Sequence, residues 1–191
     1  MSAALSAIDR LRRALAARTS ETVDDPSRSP AAVAVVLAES PVSLLLIRRA
    51  EREGDRWSGQ MAFPGGRWSP EDPGLLETAR RETREEVGLE LADAELLGTL
   101  DDIAPRTPTL PPVIVRPFVF RVDRPPTLRP NYEVAHAAWV GIDRLTDASI
   151  YRGYRHAVAG ATLVFPGYHL PEGVVWGMTE RILTPLLDLI R

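Results

Sequence analysis

Arg81-Glu82-Thr83-Arg84-Glu85-Glu86-Val87-Gly88-Leu89 is the stretch that decides the fold. Glu82 lies three residues from Glu85 and four from Glu86, so in a helix all three carboxylates project over one patch of surface. Like charges at that spacing weaken an isolated helix by roughly a few tenths of a kcal/mol per pair. Something should compensate, and a hard divalent cation, which prefers carboxylate oxygens and manages phosphate chemistry, is the economical choice. Upstream, Phe63-Pro64-Gly65-Gly66 reads as a turn, with the acid-bearing helix following behind it.

Outward from this stretch, the helix is expected over residues 75 to 87, with Leu76, Ala79, Thr83 and Val87 as its buried stripe and Gly88 as its stop. Residues 67 to 74 hold two Pro and a Gly, which forces a loop. A short strand is expected at 61 to 63. Further upstream, 31 to 38 and 42 to 47 are apolar, β-branched runs separated by Glu39-Ser40-Pro41, as in a hairpin or two adjacent strands. Downstream, strands are expected at 95 to 100, 113 to 122 and 135 to 140, joined by Pro-rich loops at 105 to 112 and 125 to 130. A further strand is read at 162 to 165 and a closing amphipathic helix at 176 to 190. The alternation is irregular, which favours an α/β (α+β) fold, a mixed central sheet sandwiched between helices, over a regular parallel array.

Residues 1 to 18 form an amphipathic helix with Leu5, Ile8, Leu11 and Leu15 on one side, 19 to 30 a polar linker, and 31 to 191 the main domain. Arg and Asp residues interrupt the apolar face of the first helix, which makes it a poor signal peptide, and no segment has the length of a membrane span. A cytoplasmic protein is expected. The first helix suits packing on the domain or on a partner subunit, so a homodimer is one expectation.

Composition removes several chemistries. With no Cys there is no disulfide framework, thiolate zinc site or cysteine nucleophile, and three scattered His (His136, His156, His169) make a histidine metal site a poor fit. Oxygen ligands remain. A net charge of −3 argues against broad binding of nucleic acid, though not against a small anion beside a bound metal.

These residues resemble the signature of the Nudix hydrolases: Gly, five residues, Glu, seven residues, then Arg-Glu-aliphatic-x-Glu-Glu-x-Gly-aliphatic. Arg81, Glu82, Glu85, Glu86, Gly88 and Leu89 match its second half. The first half departs: the span from Gly66 to Arg81 is one residue longer, Asp72 falls near the early Glu, and Thr83 replaces an aliphatic residue. The resemblance implies a Nudix-type α/β/α sandwich that cleaves pyrophosphate linkages with Mg²⁺ or Mn²⁺. A divalent cation screens the phosphate oxygens, polarises phosphorus and acidifies a bound water. Glu82 and Glu86 are the expected primary ligands, with Glu85 sharing contacts to metal or water. A main-chain carbonyl at Gly65 or Gly66 is implied as a further ligand, and Arg81 as the residue that orients the carboxylates. The general base is a glutamate of the signature or an acid from a distant loop, for which Glu133 is the candidate.

Leu45-Leu46-x-Arg-Arg, Ser58-Gly59-Gln60-Met61-Ala62-Phe63-Pro64-Gly65-Gly66 and Trp176-Gly177-Met178-Thr179 look like the coenzyme A pyrophosphatase branch of that family. The branch motif is kept at Leu45, Leu46, Arg49, Gly59 and 63 to 66, but it has Ile47 for Thr, Ala50 for Ser and no Arg in register before Gly59. Arg52 or Arg56 would have to supply that cation. The substrate implied is a nucleoside diphosphate derivative, coenzyme A or an acyl ester, whose ribose 3′-phosphate an Arg fork at Arg49, Arg52 and Arg56 would read. ADP-ribose, a nucleotide sugar or a dinucleotide polyphosphate are the alternatives, and a non-catalytic binding module is the reading from another class. All three acids of the signature are present, which disfavours the last.

Overall fold

Ser29–Glu39 (β1) and Val42–Arg49 (β2) are near-continuous apolar runs because both of their faces are covered. The computed structural model describes residues 6–55, 57–105, 111–158 and 160–191. On one face of the sheet Val35, Leu37, Leu44 and Leu46 pack with Ala7–Ala16 (α1) and Gly177–Ile190 (α4). On the other, Ala32, Ala34, Val36, Leu45 and Ile47 pack with Leu75–Val87 (α2). Alternate side chains of the same strands thus feed two cores, one on each face of the sheet.

Among the described residues seven strands make up this sheet. β1 runs parallel to Val113–Val122 (β6) from Ser29 opposite Val113 to Ala38 opposite Val122. Glu95–Thr99 (β5) adds antiparallel to β6, and Val134–Gly141 (β7) antiparallel to β2. β1 and β2 pair with each other only near their hairpin, at Leu37 with Leu44 to Glu39 with Val42, and then diverge. Met61–Ala62 (β3) and Gly65–Arg67 (β4) fill the wedge, β3 on β2 and β4 on β1. Here the structure corrects the sequence: Gly65-Gly66 is not a turn but a short strand in the middle of the sheet, opposite Val33 and Ala32. The bend falls at Pro64.

A short helix, Ile142–Leu145 (α3), and a single 3₁₀ turn at Ala148–Ile150 lead from β7 into a second, three-stranded antiparallel sheet. It comprises Tyr151–Val158 (β8), Ala161–Leu170 (β9) and Gly173–Trp176 (β10). The strand expected at 162 to 165 is only part of β9, and β8 and β10 were not expected. Both faces of β8 are largely exposed, and Gly153, Pro166 and Gly167 break the β pattern, so hydrophobic alternation carries little signal there. Tyr168, Leu170 and Val175 tie this sheet to the core beneath α4.

Ile8 and Leu11 of α1 are fully buried and Leu15 nearly so, facing α4 and β5 within the protomer. The apolar stripe that suggested a dimer contact is therefore used inside the protomer, and Leu5 lies outside the described residues. The segment before β1 is pinned rather than loose, since the Ser20 hydroxyl donates to the Thr99 carbonyl and the Glu21 N–H to Asp101. No helix of the described residues is long and apolar enough to cross a membrane.

Candidate active site

α2 begins at Gly74 without a side-chain cap and ends at Gly88, whose left-handed backbone (φ 67°) returns its N–H to the Arg84 carbonyl. Its buried stripe holds Ala79, Thr83 and Val87 as expected, while Leu76 is only partly buried. Thr83 is tolerated inside because its hydroxyl donates to the Ala79 carbonyl at 2.7 Å, so no buried polar group is left unpaired. Glu86 also points inward, at 2% exposure, which the helical pattern of apolar residues did not signal.

Glu86 is buried because the helix lies across the short Gly-Gly strand. The Gly65 N–H donates to Glu86 Oε2 at 2.9 Å. A Cβ on Gly66 would sit 2.5 Å from Oε1 and 2.7 Å from Oε2 of Glu82, so only glycine lets the strand backbone lie against that carboxylate. Glu82 is mostly buried, whereas Glu85, on the outer edge of the same turn, is half-exposed.

Arg81 ties the acids together. Its Nη1 donates to Glu82 Oε1 at 2.9 Å and to Glu85 Oε2 at 3.2 Å. Its other edge grips Asp72, from Nε to Oδ1 at 2.8 Å and from Nη2 to Oδ2 at 2.9 Å. Asp72 accepts two more bonds, from the Thr78 hydroxyl and the Ser69 N–H. Five residues separate Gly66 from Asp72 and eight separate Asp72 from Arg81, so the additional residue of this loop lies after the acid. The Arg81 pair, above all, pulls the buried Asp72 carboxyl down to about 2, against burial. A folded-state value below the usual carboxylate value stabilises the fold above about pH 4, and that contribution is lost as pH falls through about 2. Asp72→Asn is expected to cost on the order of 2 kcal/mol at neutral pH. The gap between variant and wild type should close towards pH 2 in urea unfolding series.

The two inner acids behave in the opposite sense. Burial pushes Glu86 up to about 7, helped by the Glu82 and Glu133 charges and opposed by the Gly65 N–H and by Arg49. Burial likewise raises Glu82, against the pull of Arg81 and with the Glu85 and Glu133 charges adding to it. Burial above all thus makes the charged form of both acids costly, even with Arg81 beside Glu82.

The loop residues meet only in part. Arg49 pairs with Asp55 at 2.8 Å, while its Nε is buried without a partner, and its charge is felt at Glu86. Arg52 pairs with Glu133 at 3.0 Å, so a candidate substrate residue and the candidate base neutralise each other. Arg56 lies outside the described residues. Glu133 reaches the site through its loop: the Asn131 N–H donates to the Glu86 carbonyl, the Arg129 N–H to the Val87 carbonyl, and the Ala50 N–H to the Glu133 carbonyl.

As arranged, no three acidic or histidine side chains among the described residues converge on one point as a ready metal cage, and Arg81 takes oxygens of both Glu82 and Glu85. The donor set nevertheless fits a hard divalent cation. Two carboxylates one helical turn apart are largely buried, costly to ionise and flanked by a glycine backbone, and all the donors are oxygens.

Residues 28–159 match the NUDIX domain family. The chain is 31% identical over 201 aligned residues to the mouse mitochondrial coenzyme A diphosphatase NUDT8, covering 97% of this chain and 90% of that protein. It is 31% identical over 188 residues to the human protein of the same name, covering 95% and 77%. Among solved structures, a MutT/nudix family protein from Enterococcus faecalis superposes with a TM-score of 0.54 at 16% identity, covering 98% of this chain and 76% of that one, which is a likeness of fold.

Proposed function

The chain belongs to the Nudix family and is a pyrophosphohydrolase, and from that premise we propose that its substrate is coenzyme A or an acyl-coenzyme A. The products would be 4′-phosphopantetheine and adenosine 3′,5′-bisphosphate. Similarity to coenzyme A diphosphatases along nearly the whole chain supports this choice over ADP-ribose, a nucleotide sugar or a dinucleotide polyphosphate. The observation that carries the chemistry is the inward-facing pair of buried Glu86 against the Gly65 N–H and mostly buried Glu82 against Gly66.

Family members generally use divalent cations, and here Mg²⁺ or Mn²⁺ would be held by Glu82, Glu86 and the Gly66 backbone, with Glu85 sharing the outer contacts. Bound there, the ion would screen the phosphate oxygens and polarise phosphorus. Arg81, clamped by Asp72, fixes the direction of Glu82 and Glu85. Arg49 would take a phosphate oxygen by leaving Asp55, its present partner at 2.8 Å. Glu133 accepts the proton of the attacking water. Water oxygen bonds to one phosphorus, the bridging P–O bond breaks, and the departing phosphate carries the electron pair.

A panel of pyrophosphates tests the reading. Coenzyme A is expected to show a kcat/KM at least about tenfold above that of dephospho-coenzyme A, since an Arg–phosphate contact is a charge-assisted bond. Equal values would remove the 3′-phosphate from recognition and with it that role for Arg49, Arg52 and Arg56.

A further inference from the structure

Tyr132 is 78% exposed, more than any other large apolar side chain of the described residues. Its backbone is nonetheless fixed on both sides. Asn131 is bonded to the Glu86 carbonyl at 2.9 Å, and its side-chain oxygen accepts the Glu133 N–H at 2.8 Å. A rigid loop tip therefore holds an aromatic ring in water, one residue from a contact to the acid-bearing helix. The Arg52 guanidinium lies 5.1 Å from the ring centroid and 3.0 Å from Glu133. Both partners of that pair are well exposed, at 44% and 35%, so the pair contributes little and can exchange. Arg49 and Asp55 are more enclosed, at 30% and 18%, and hold each other more firmly.

We propose that Tyr132 is the stacking platform for the purine base of the substrate, and that Arg52 leaves Glu133 to take the phosphate on the same nucleoside's ribose. A purine face suits a tyrosine ring whatever its hydrogen-bonding edge, and the guanidinium that now lies over that ring, displaced by the incoming base, suits a phosphate within one sugar's reach. The Arg52 half rests on the coenzyme A reading. The Tyr132 half needs only an adenine nucleotide.

Titration calorimetry of the full chain with Mg²⁺ tests both halves, using 5′-AMP, adenosine 3′,5′-bisphosphate and 4′-phosphopantetheine as separate ligands. Tyr132→Leu is expected to weaken both nucleotides about tenfold, the size of one lost base stack, while Tyr132→Phe keeps wild-type affinity. Arg52→Ala should weaken the bisphosphate about tenfold more than it weakens 5′-AMP. Unchanged affinities in Tyr132→Leu would overturn the platform, as would an equal loss for 4′-phosphopantetheine, which has no base. If the wild type binds both nucleotides equally and Tyr132→Leu weakens both, the platform stands and the role of Arg52 falls with the coenzyme A reading.

Discussion

Glu86→Gln is expected to lower pyrophosphate hydrolysis about a thousandfold or more while making the metal-free protein more stable. The two effects share one cause. Glu86 is 2% exposed and burial pushes its carboxyl up to about 7, so the ionised form that a metal requires is the form the fold resists. Removing a charge that supplies several kcal/mol of transition-state stabilisation through a cation translates into about three orders of magnitude in rate. The amide keeps the bond from the Gly65 N–H through its oxygen, so the strand beneath stays in place.

The sign of the stability effect follows from proton linkage. The folded-state value lies above the usual 4.5, so between about pH 4.5 and 7 the native state holds a proton that the unfolded chain has released. Wild-type stability in EDTA should therefore fall as pH rises through that window, by on the order of 3 kcal/mol. Glu86→Gln should show a shallower slope and a higher midpoint at pH 8. Saturating Mg²⁺ should raise the wild-type melting temperature and leave the variant nearly unmoved. A variant that keeps near-normal turnover would remove Glu86 from the site.

Substitution of either glycine beneath the acids should have large effects of different kinds. A Cβ on Gly65 would fall inside contact distance of the Ala32 carbonyl oxygen and 2.6 Å from the Val33 Cα, at a φ of 155° that side chains rarely adopt. Both neighbours are backbone of the central strand and cannot yield without parting β4 from β1. Gly65→Ala is expected to cost more than about 3 kcal/mol and to leave little folded protein at 37 °C. At Gly66 the obstacle is the end of the flexible Glu82 side chain. Gly66→Ala should fold, with a thermal midpoint near wild type, and lose metal affinity because Glu82 is displaced. Circular dichroism melts and Mn²⁺ titrations separate the two. A folded, stable Gly65→Ala protein would contradict the wedge described for β1 to β4.

Much of this was readable beforehand where pattern and packing agree. α2 and β6 fall at the expected residues because each is apolar on a face the fold covers and each is bounded by Gly or Pro. The Gly-Gly segment reads as a turn in isolation, and only the divergence of β1 from β2 makes it a strand. Asp72 sits near the expected acidic position, but its grip on Arg81 depends on how a Pro-rich loop closes, which residue types do not fix. Arg52 and Glu133 are far apart in sequence and meet only because β7 lies beside β2. β8 to β10 stayed hidden because their exposed faces carry mixed residues.

The reaction itself is tested most directly by incubating the full chain with coenzyme A and Mg²⁺ or Mn²⁺ in ¹⁸O-labelled water and weighing the products. The account predicts 4′-phosphopantetheine and adenosine 3′,5′-bisphosphate in equal amounts, with the label in one of them and no product from Glu86→Gln. Intact coenzyme A beside rapid turnover of ADP-ribose or another pyrophosphate would contradict it.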